Sequence, residues 1–181
     1  MEVTPAGGHK PAYAAPAPIS AEHRLDGFSC GKPSLDEWLA VHARKSEAKS
    51  ARTFVVTAQA GPDAGRVVAY YALATGSVAR EEVPKKIRQG LPNPVPTMVL
   101  ARLAVDQQHK GKGLGPALLR DAMLRVLEIS RSAGVRALLV HAIDDDAAGF
   151  YAHYGFQPFP AGARTMFLPV ETLVQSLATP T

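Results

Sequence analysis

Three closely spaced glycines form the clearest chemical motif of the chain. Residues 108–115 read QHKGKGLG, follow an apolar run and precede a long amphipathic one. Glycine allows tight turns in which main-chain N–H groups approach a ligand closely. A helix that begins at such a loop adds unpaired N–H groups and the positive end of its dipole. With Lys110 and Lys112 at the rim, the segment predicts a cradle for phosphate or pyrophosphate.

Two common phosphate-binding loops do not match this spacing. A P-loop needs Gly-Lys-Ser or Gly-Lys-Thr, whereas Leu114 follows Gly113 here. A dinucleotide-binding loop needs Gly-x-Gly-x-x-Gly near the start of a βαβ unit, but here Gly115 completes Gly-x-Gly-x-Gly deep in the chain. A plain strand-to-helix turn is the remaining structural alternative, and it does not need three glycines.

The elements around the loop indicate a mixed α/β domain. The apolar residues 98–105 predict a strand buried on both faces. Apolar positions recur along one stripe of residues 114–133, which predicts a long helix. Periodicity and turn residues predict the other elements. The first is a helix that begins at Pro33 or Ser34 and ends in a cationic patch after Ala43. The others are a hairpin of 53–59 with 66–79, a short helix at 83–90, a strand at 135–142, a helix at 144–154, strands at 156–159 and 164–168, and a closing helix at 169–177.

Length and composition limit the class of protein. The chain has 181 residues, of which 46% are hydrophobic and 20% charged, as in a single compact domain. It has no run of about 20 apolar residues that would predict a membrane span. The single cysteine, Cys30, excludes a disulfide framework and a multi-cysteine metal site, so we expect no metal. A net charge of +4 permits a polyanionic partner.

The first 18 residues differ in composition from the rest. Residues 1–18 contain four prolines and two adjacent glycines, which disfavour a helix or a central strand. We therefore expect a flexible Ala/Pro-rich tail at 1–18 and a single folded domain at 19–177. The tail lacks the apolar core of a secretory signal peptide, and we expect a cytoplasmic protein.

Two motifs together resemble one enzyme superfamily. The spacing Gln-x-x-Gly-x-Gly after an apolar strand resembles the acyl-CoA pyrophosphate loop of the GCN5-related N-acetyltransferases (GNAT). The segment FYAHYGF at 150–156 resembles the aromatic segment of the same superfamily. The resemblance implies an α/β (α+β) fold with a central, mostly antiparallel sheet flanked by helices, and acetyl-CoA as the acyl donor.

The resemblance also implies roles for particular residues. Tyr151 becomes the candidate general acid and a contact of the acetyl-CoA, because a phenol with a pKa near 10 can protonate a departing thiolate. We expect Phe150 and Phe156 to be core aromatics and leave Tyr154 open between core and site. The main chain that would pair with the pantetheine arm belongs to Leu103, Ala104 and Val105. The residues that would hold the pyrophosphate are Lys110, Gly111, Lys112, Gly113, Leu114, Gly115 and Pro116.

A longer series of motifs, spread over residues 19–174, narrows the resemblance. The series consists of FSCG at 28–31, LDEWL at 35–39, TFV at 53–55, AYYAL at 69–73, LARLAVD at 100–106 and VHA at 140–142. In order and spacing, these motifs are similar to those of the TacT/AtaT-type acetyltransferase toxins of bacterial toxin–antitoxin pairs. This implies acetylation of the α-amino group of an aminoacyl-tRNA, which blocks translation. It also implies inhibition by a cognate ribbon-helix-helix antitoxin and a homodimer.

The residues themselves are consistent with an α-amine substrate. No glutamate on the predicted central strands stands out as a base. An α-amine with a pKa near 7.7–8.0 needs less help in losing a proton than a lysine amine near 10.4. His141 could serve as a base, although we expect a packed, hydrogen-bonded histidine at a strand end. We expect Arg102, in the middle of a strand, to pair with an acidic neighbour rather than bind tRNA.

Basic residues in two segments are candidates for tRNA contacts. Such contacts with phosphates would make binding depend on salt, and each residue could equally belong to a solvated surface. The candidates are Arg44, Lys45, Lys49, Arg52, Lys85, Lys86 and Arg88.

Two other functions stay open at this point. One is a GNAT N-acetyltransferase that acts on a small-molecule amine or a protein N-terminus. The other is a non-catalytic acyl-CoA-binding module. An acidic substrate pocket would favour a cationic small molecule, and a lack of acetyl transfer to any amine would favour the binding module.

Overall fold

A seven-stranded sheet organises the protein. The computed structural model describes residues 11–46, 49–160 and 164–178. The strands lie in the order β1-β2-β3-β4-β5-β7-β6, and every adjacent pair is antiparallel except β4 and β5. The strands are β1 (Ala17–Pro18), β2 (Ala51–Thr57), β3 (Val67–Val78), β4 (Val95–Val105), β5 (Ala137–His141), β6 (Gln157–Pro158) and β7 (Thr165–Pro169).

Four helices flank the sheet in the described part of the chain. Helix α1 runs through Pro33–Glu37, a π-helical turn at Trp38–His42 and Ala43–Ser46. The others are α2 (Leu114–Ser132), α3 (Asp145–His153) and α4 (Val170–Ala178). The predicted order of strands and helices is confirmed. The predicted helix at 83–90 is wrong in type, because the charged and proline-rich segment forms two 3₁₀ turns, Arg80–Glu82 and Lys85–Ile87.

The two faces of the sheet carry separate apolar clusters. On one face, α2 packs through Leu118, Ala122 and Val126, which are fully buried against strand residues such as Leu138. On the other face, Leu39 of α1 packs in a second cluster. Adjacent residues such as Tyr70 and Tyr71 belong to different clusters, because successive side chains of a strand point to opposite faces.

The fold begins earlier in the chain than the predicted boundary at residue 19. Strand β1 pairs with β2 through Ala17 and Val55, and the Gln59 amide donates to the Ala12 carbonyl at 2.8 Å. Prolines are tolerated here because this segment forms the edge of the sheet, where one side of the strand needs no ladder partner. The prediction of a tail is therefore wrong for residues 11–18, and residues 1–10 lie outside the described residues.

Candidate active site

Strand β4 extends well beyond its pairing with the parallel strand β5. β4 pairs with β5 only from Thr97–Ala137 to Leu100–Val140, whereas it pairs with β3 as far as Val105. In the described sheet, no strand therefore pairs with residues 101–105 on the side of β5. An extended ligand could add to this edge by main-chain hydrogen bonds.

An irregularity in β4 marks the point of separation. Against β3, Arg102 pairs with Ala72 and Leu100 pairs with Leu73, so Ala101 is an extra residue in β4. A bulge of this kind bends a strand and changes the face to which its side chains point. β5 ends at His141, one residue after its last pair, whereas β4 continues past the bulge to Val105. We call this unpaired edge of β4, at residues 101–105, the gap.

The glycine loop lies directly beyond β4. Gly111 and Gly113 have φ angles of 75° and 80°, in the left-handed region that disfavours residues with a Cβ. Gly113 is the N-cap of α2, and the first intrahelical bond runs from the Ala117 amide to the Gly113 carbonyl at 3.2 Å. The amides of Leu114 and Gly115 precede that bond and so have no partner within the helix. This geometry fits a pyrophosphate at the helix start.

The two lysines of the loop have different environments. Lys110 donates from Nζ to the Cys30 carbonyl at 2.8 Å, so it ties the loop to the segment before α1. Lys112 is exposed. A second tie to the same segment was missed by sequence reasoning: Lys32 Nζ lies 2.6 Å from Asp144 Oδ2, and Asp144 also caps α3 by accepting from the Ala147 amide.

Tyr151 is buried in the apolar cluster that also contains residues of β4 and β5. It lies on α3, is 8% exposed, and belongs to the same buried cluster as Leu100 and Val140, where the two strands part. Phe150 and Phe156 contact its ring edge-on, with ring centroids 5.3 and 5.4 Å from that of Tyr151. Burial raises the pKa of Tyr151 to about 12, so the phenol keeps its proton at neutral pH and can donate it.

The neighbouring aromatic rings pack against one another. Phe156 is buried, as predicted for a core residue. Phe150 and Tyr154 are half-buried and contact each other edge-on at 5.2 Å. Tyr154 also packs against the His153 ring. Both contacts of Tyr154 lie within α3 and at its end, and its assignment to the core or to the site stays a prediction.

His141 is an exposed residue at the end of β5. Its Nδ1 lies 2.9 Å from the Thr165 hydroxyl oxygen on the adjacent strand. The predicted hydrogen bond at a strand end is confirmed, although the ring is exposed rather than packed.

Among the residues that the structure describes, Arg102 does not have the acidic partner that we predict from sequence. Its guanidinium lies over the Trp38 ring, 5.4 Å from the centroid, and Nη1 donates to the Ala101 carbonyl at 2.7 Å. The prediction is wrong because α1 places an indole, and not a carboxylate, above this position of β4.

The predicted basic residues fall into two groups. Arg44 donates to the Ser20 carbonyl at 3.1 Å and also to that of His23, and Arg88 donates to the Val83 carbonyl at 2.8 Å. Both guanidinium groups therefore hold backbone segments. The other five are exposed: Lys45, Lys49, Arg52, Lys85 and Lys86.

The two basic segments adjoin the same end of the sheet. β2 begins where β3 ends, since Ala51 pairs with Ala74, and the 3₁₀ turns with Lys85 and Lys86 follow β3 directly. The glycine loop follows Val105 at the other end of β4. The exposed basic residues of these two segments and the glycine loop therefore lie toward opposite ends of the sheet.

The described ranges contain neither a metal-binding cluster nor a membrane-spanning helix. Among residues 11–46, 49–160 and 164–178, no group of three His, Cys, Asp or Glu side chains is arranged to hold a metal ion. Within the same ranges, no helix combines the length and apolar character needed to cross a membrane.

Comparison with known proteins agrees with this geometry. Residues 49–158 match the family model described as an acetyltransferase (GNAT) domain. A tRNA-acetylating toxin of Mycobacterium tuberculosis is 44% identical over 148 residues, which cover 82% of this chain and 87% of the relative.

Two solved structures share the fold over nearly the whole chain. AtaT complexed with acetyl-methionyl-tRNAfMet has a TM-score of 0.82 and 27% identity, and the match covers 92% of this chain and 99% of AtaT. AtaTR bound with AcCoA has a TM-score of 0.77 and 27% identity over 91% of this chain and 97% of the other. The expected fold class is confirmed, and the chain belongs to the GNAT family of acetyltransferases.

Proposed function

We propose that this protein transfers the acetyl group of acetyl-CoA to the α-amino group of an aminoacyl-tRNA and thereby blocks translation. The observation that carries the proposal is the unpaired edge of β4 beyond β5, followed by the glycine loop, together with a buried Tyr151 in the cluster that contains Leu100 and Val140. The relative named a tRNA-acetylating toxin, 44% identical over 82% of this chain, supports tRNA as the acceptor.

The donor would occupy the gap along β4. The main chain of Leu103, Ala104 and Val105 would pair with the pantetheine arm, since no strand of the described sheet occupies that edge. The amides of the glycine loop would hold the pyrophosphate. Main-chain N–H groups of β4 would polarise the thioester carbonyl, where negative charge develops in the transition state.

Acetyl transfer then needs one proton donor. The neutral α-amine attacks the carbonyl carbon, a C–N bond forms, and the C–S bond breaks. Tyr151 gives its proton to the departing thiolate, and the proton released by the amine passes to solvent. A base is less necessary for an α-amine with a pKa near 7.7–8.0 than for a lysine near 10.4.

The acceptor would lie across the positive end of the sheet. Lys45, Lys49, Arg52, Lys85 and Lys86 are exposed there, and phosphate contacts at several of them would make tRNA binding weaken with salt. Arg44 and Arg88 already donate hydrogen bonds to backbone carbonyls. Their main contribution to tRNA binding would therefore be the positive potential of their charges.

The same family assignment supports proposals about partners. A cognate antitoxin of the ribbon-helix-helix type would bind and inhibit the enzyme in the cytoplasm. The enzyme would act as a homodimer. Both are supported by the resemblance to TacT/AtaT-type toxins.

One experiment tests the activity. Purified protein is incubated with labelled acetyl-CoA and a total pool of charged tRNA, beside Tyr151→Phe and the matched variant Tyr154→Phe. We expect label in acetyl-aminoacyl-tRNA, which is lost on deacylation, strongly reduced in Tyr151→Phe and retained in Tyr154→Phe. An absence of label with folded protein that binds acetyl-CoA would refute a tRNA substrate and favour small amines or protein N-termini.

A further inference from the structure

Arg102 is an unneutralised cation beside the gap. It is half-buried on β4, two residues beyond the last pair with β5. In the described part of the chain, its recorded partners are the Trp38 ring and the Ala101 carbonyl, and no carboxylate forms an ion pair with it. Partly burying a charge without a counter-charge is unfavourable, so its position calls for an anionic ligand.

The register of β4 fixes the face on which Arg102 lies. Ala104 lies two residues after Arg102, so the two side chains point to the same face of the sheet. Ala104 packs in the cluster of α1, whereas Leu103 packs against the cluster of α2 that contains Tyr151. Arg102 and Tyr151 therefore flank the gap from opposite faces of the sheet. If Tyr151 protonates the thiolate from its own face of the sheet, the amine approaches the thioester from the opposite face, where Arg102 lies.

The guanidinium is pre-positioned. Trp38 is stacked on Tyr70, with centroids 5.8 Å apart and planes at 10°, and Tyr70 donates to the Leu35 carbonyl at 2.7 Å. This stack fixes the indole under Arg102. A guanidinium has five N–H donors, so one bond to Ala101 leaves donors for a bidentate contact, which suits phosphate.

We propose that Arg102 binds the last internucleotide phosphate at the 3′ end of the aminoacyl-tRNA and so positions the α-amine in the gap. This rests on the proposed function. Along the chain of the acceptor, that phosphate is the anionic group nearest to the reacting amine. A cation at this position also repels a substrate whose amine lies beside other ammonium groups, so it selects against polycationic small molecules.

Short analogues of the 3′ end of aminoacyl-tRNA test the contact between Arg102 and the phosphate separately from other tRNA contacts. One is an amide-linked aminoacyl-adenosine without phosphate, the second is the corresponding cytidylyl-adenosine with one phosphate, and the third carries an uncharged methylphosphonate in place of that phosphate. For the wild-type protein we expect kcat/KM for the phosphate acceptor to exceed the other two by about tenfold, mainly through KM. For Arg102→Gln we expect kcat/KM to become nearly equal for the three acceptors.

Controls separate recognition from folding. Arg131→Gln changes an exposed arginine that pairs with Glu128 on α2, and we expect it to keep the tenfold preference. Arg102→Lys keeps the charge but not the planar group, and we expect a partial preference. Acetyl-CoA binding, measured by calorimetry, stays unchanged in all variants.

Two results would overturn the proposal while leaving the proposed function intact. The first is a wild-type enzyme that acetylates the phosphate and methylphosphonate acceptors equally, a result that needs no variant to fold. The second is an Arg102→Gln protein that retains the full preference. If the wild-type protein acetylates neither these acceptors nor whole charged tRNA, the proposed function itself fails.

Discussion

The hydroxyl of Tyr13 lies 2.8 Å from Nδ1 of His109, although the two residues are 96 positions apart in the chain. The other ring nitrogen of His109 lies 2.8 Å from Asp63 Oδ2. His109 ends the 3₁₀ turn just before the glycine loop. The N-terminal segment and the turn between β2 and β3 thus support the loop from the side away from β5.

Tyr13 therefore contributes to stability although it precedes residue 19. We expect Tyr13→Phe to lower the free energy of unfolding by about 1 kcal/mol, because the buried imidazole loses a hydrogen bond. A chain beginning at residue 19 loses β1 as well, and we expect it to be less stable than one beginning at residue 11. Urea unfolding measures both, and equal stability of the two shortened chains would contradict the edge-strand assignment.

Asp63 links stability to pH. Hydrogen bonds from Arg66 and then His109 lower the pKa of its carboxyl to about 2, below its value of about 4 in the unfolded chain. The carboxylate therefore stabilises the fold fully above about pH 4, and this contribution is lost as the pH falls toward 2. We expect Asp63→Asn to be less stable than wild type at pH 7, with a difference that shrinks between pH 4 and 2.

Unfolding at several pH values checks this expectation. The matched control is Asp145→Asn, which removes an exposed carboxylate that pairs with Arg164, and we expect a change of at most about 0.5 kcal/mol. A constant difference between wild type and Asp63→Asn from pH 7 to 2 would show that the carboxylate is not the stabilising form.

Tyr151 is expected to act through its proton. Tyr151→Phe removes the hydroxyl but keeps the buried ring, so we expect kcat to fall by about a hundredfold or more with unchanged affinity for acetyl-CoA. Rapid-quench measurement of a single turnover separates the chemical step from product release. A variant with the wild-type rate of this step would exclude Tyr151 as the general acid.

Burial of Tyr151 also predicts the pH profile. Because burial raises its pKa to about 12, the phenol stays protonated up to about pH 10. We expect no loss of rate from pH 8 to 10 with an amide-linked acceptor that survives alkali. A decline centred near the ordinary tyrosine pKa of about 10 would contradict this environment.

Gly113 is expected to be irreplaceable because of its backbone and not for lack of space. A Cβ at this position would meet nothing within 4 Å, yet φ is 80°. We expect Gly113→Ala to cost about 1–2 kcal/mol of stability and to weaken acetyl-CoA binding. The control Gly149→Ala, in the helical residues of α3 with open space around it, should instead raise stability by about 0.5–1 kcal/mol.

Local pattern accounts for most of what could be predicted. The apolar and β-branched runs of β2 to β5, the apolar stripe of α2 and the glycine loop each consist of residues close together in the chain, so hydrophobic patterns and turn chemistry identify them. Local pattern does not determine the conformation of residues 80–91. Charges and prolines there disfavour a regular helix, but they do not specify the 3₁₀ turns that replace it.

The sequence by itself therefore determined the order of elements, the anion-binding loop and the aromatic segment with Tyr151. Only the tertiary structure decided that β4 and β5 part after Leu100, that Arg102 faces Trp38 and that Tyr13 reaches His109. Each of these depends on which distant elements become neighbours. That choice is made by packing of the whole chain, in which side chains far apart in sequence compete for the same partners.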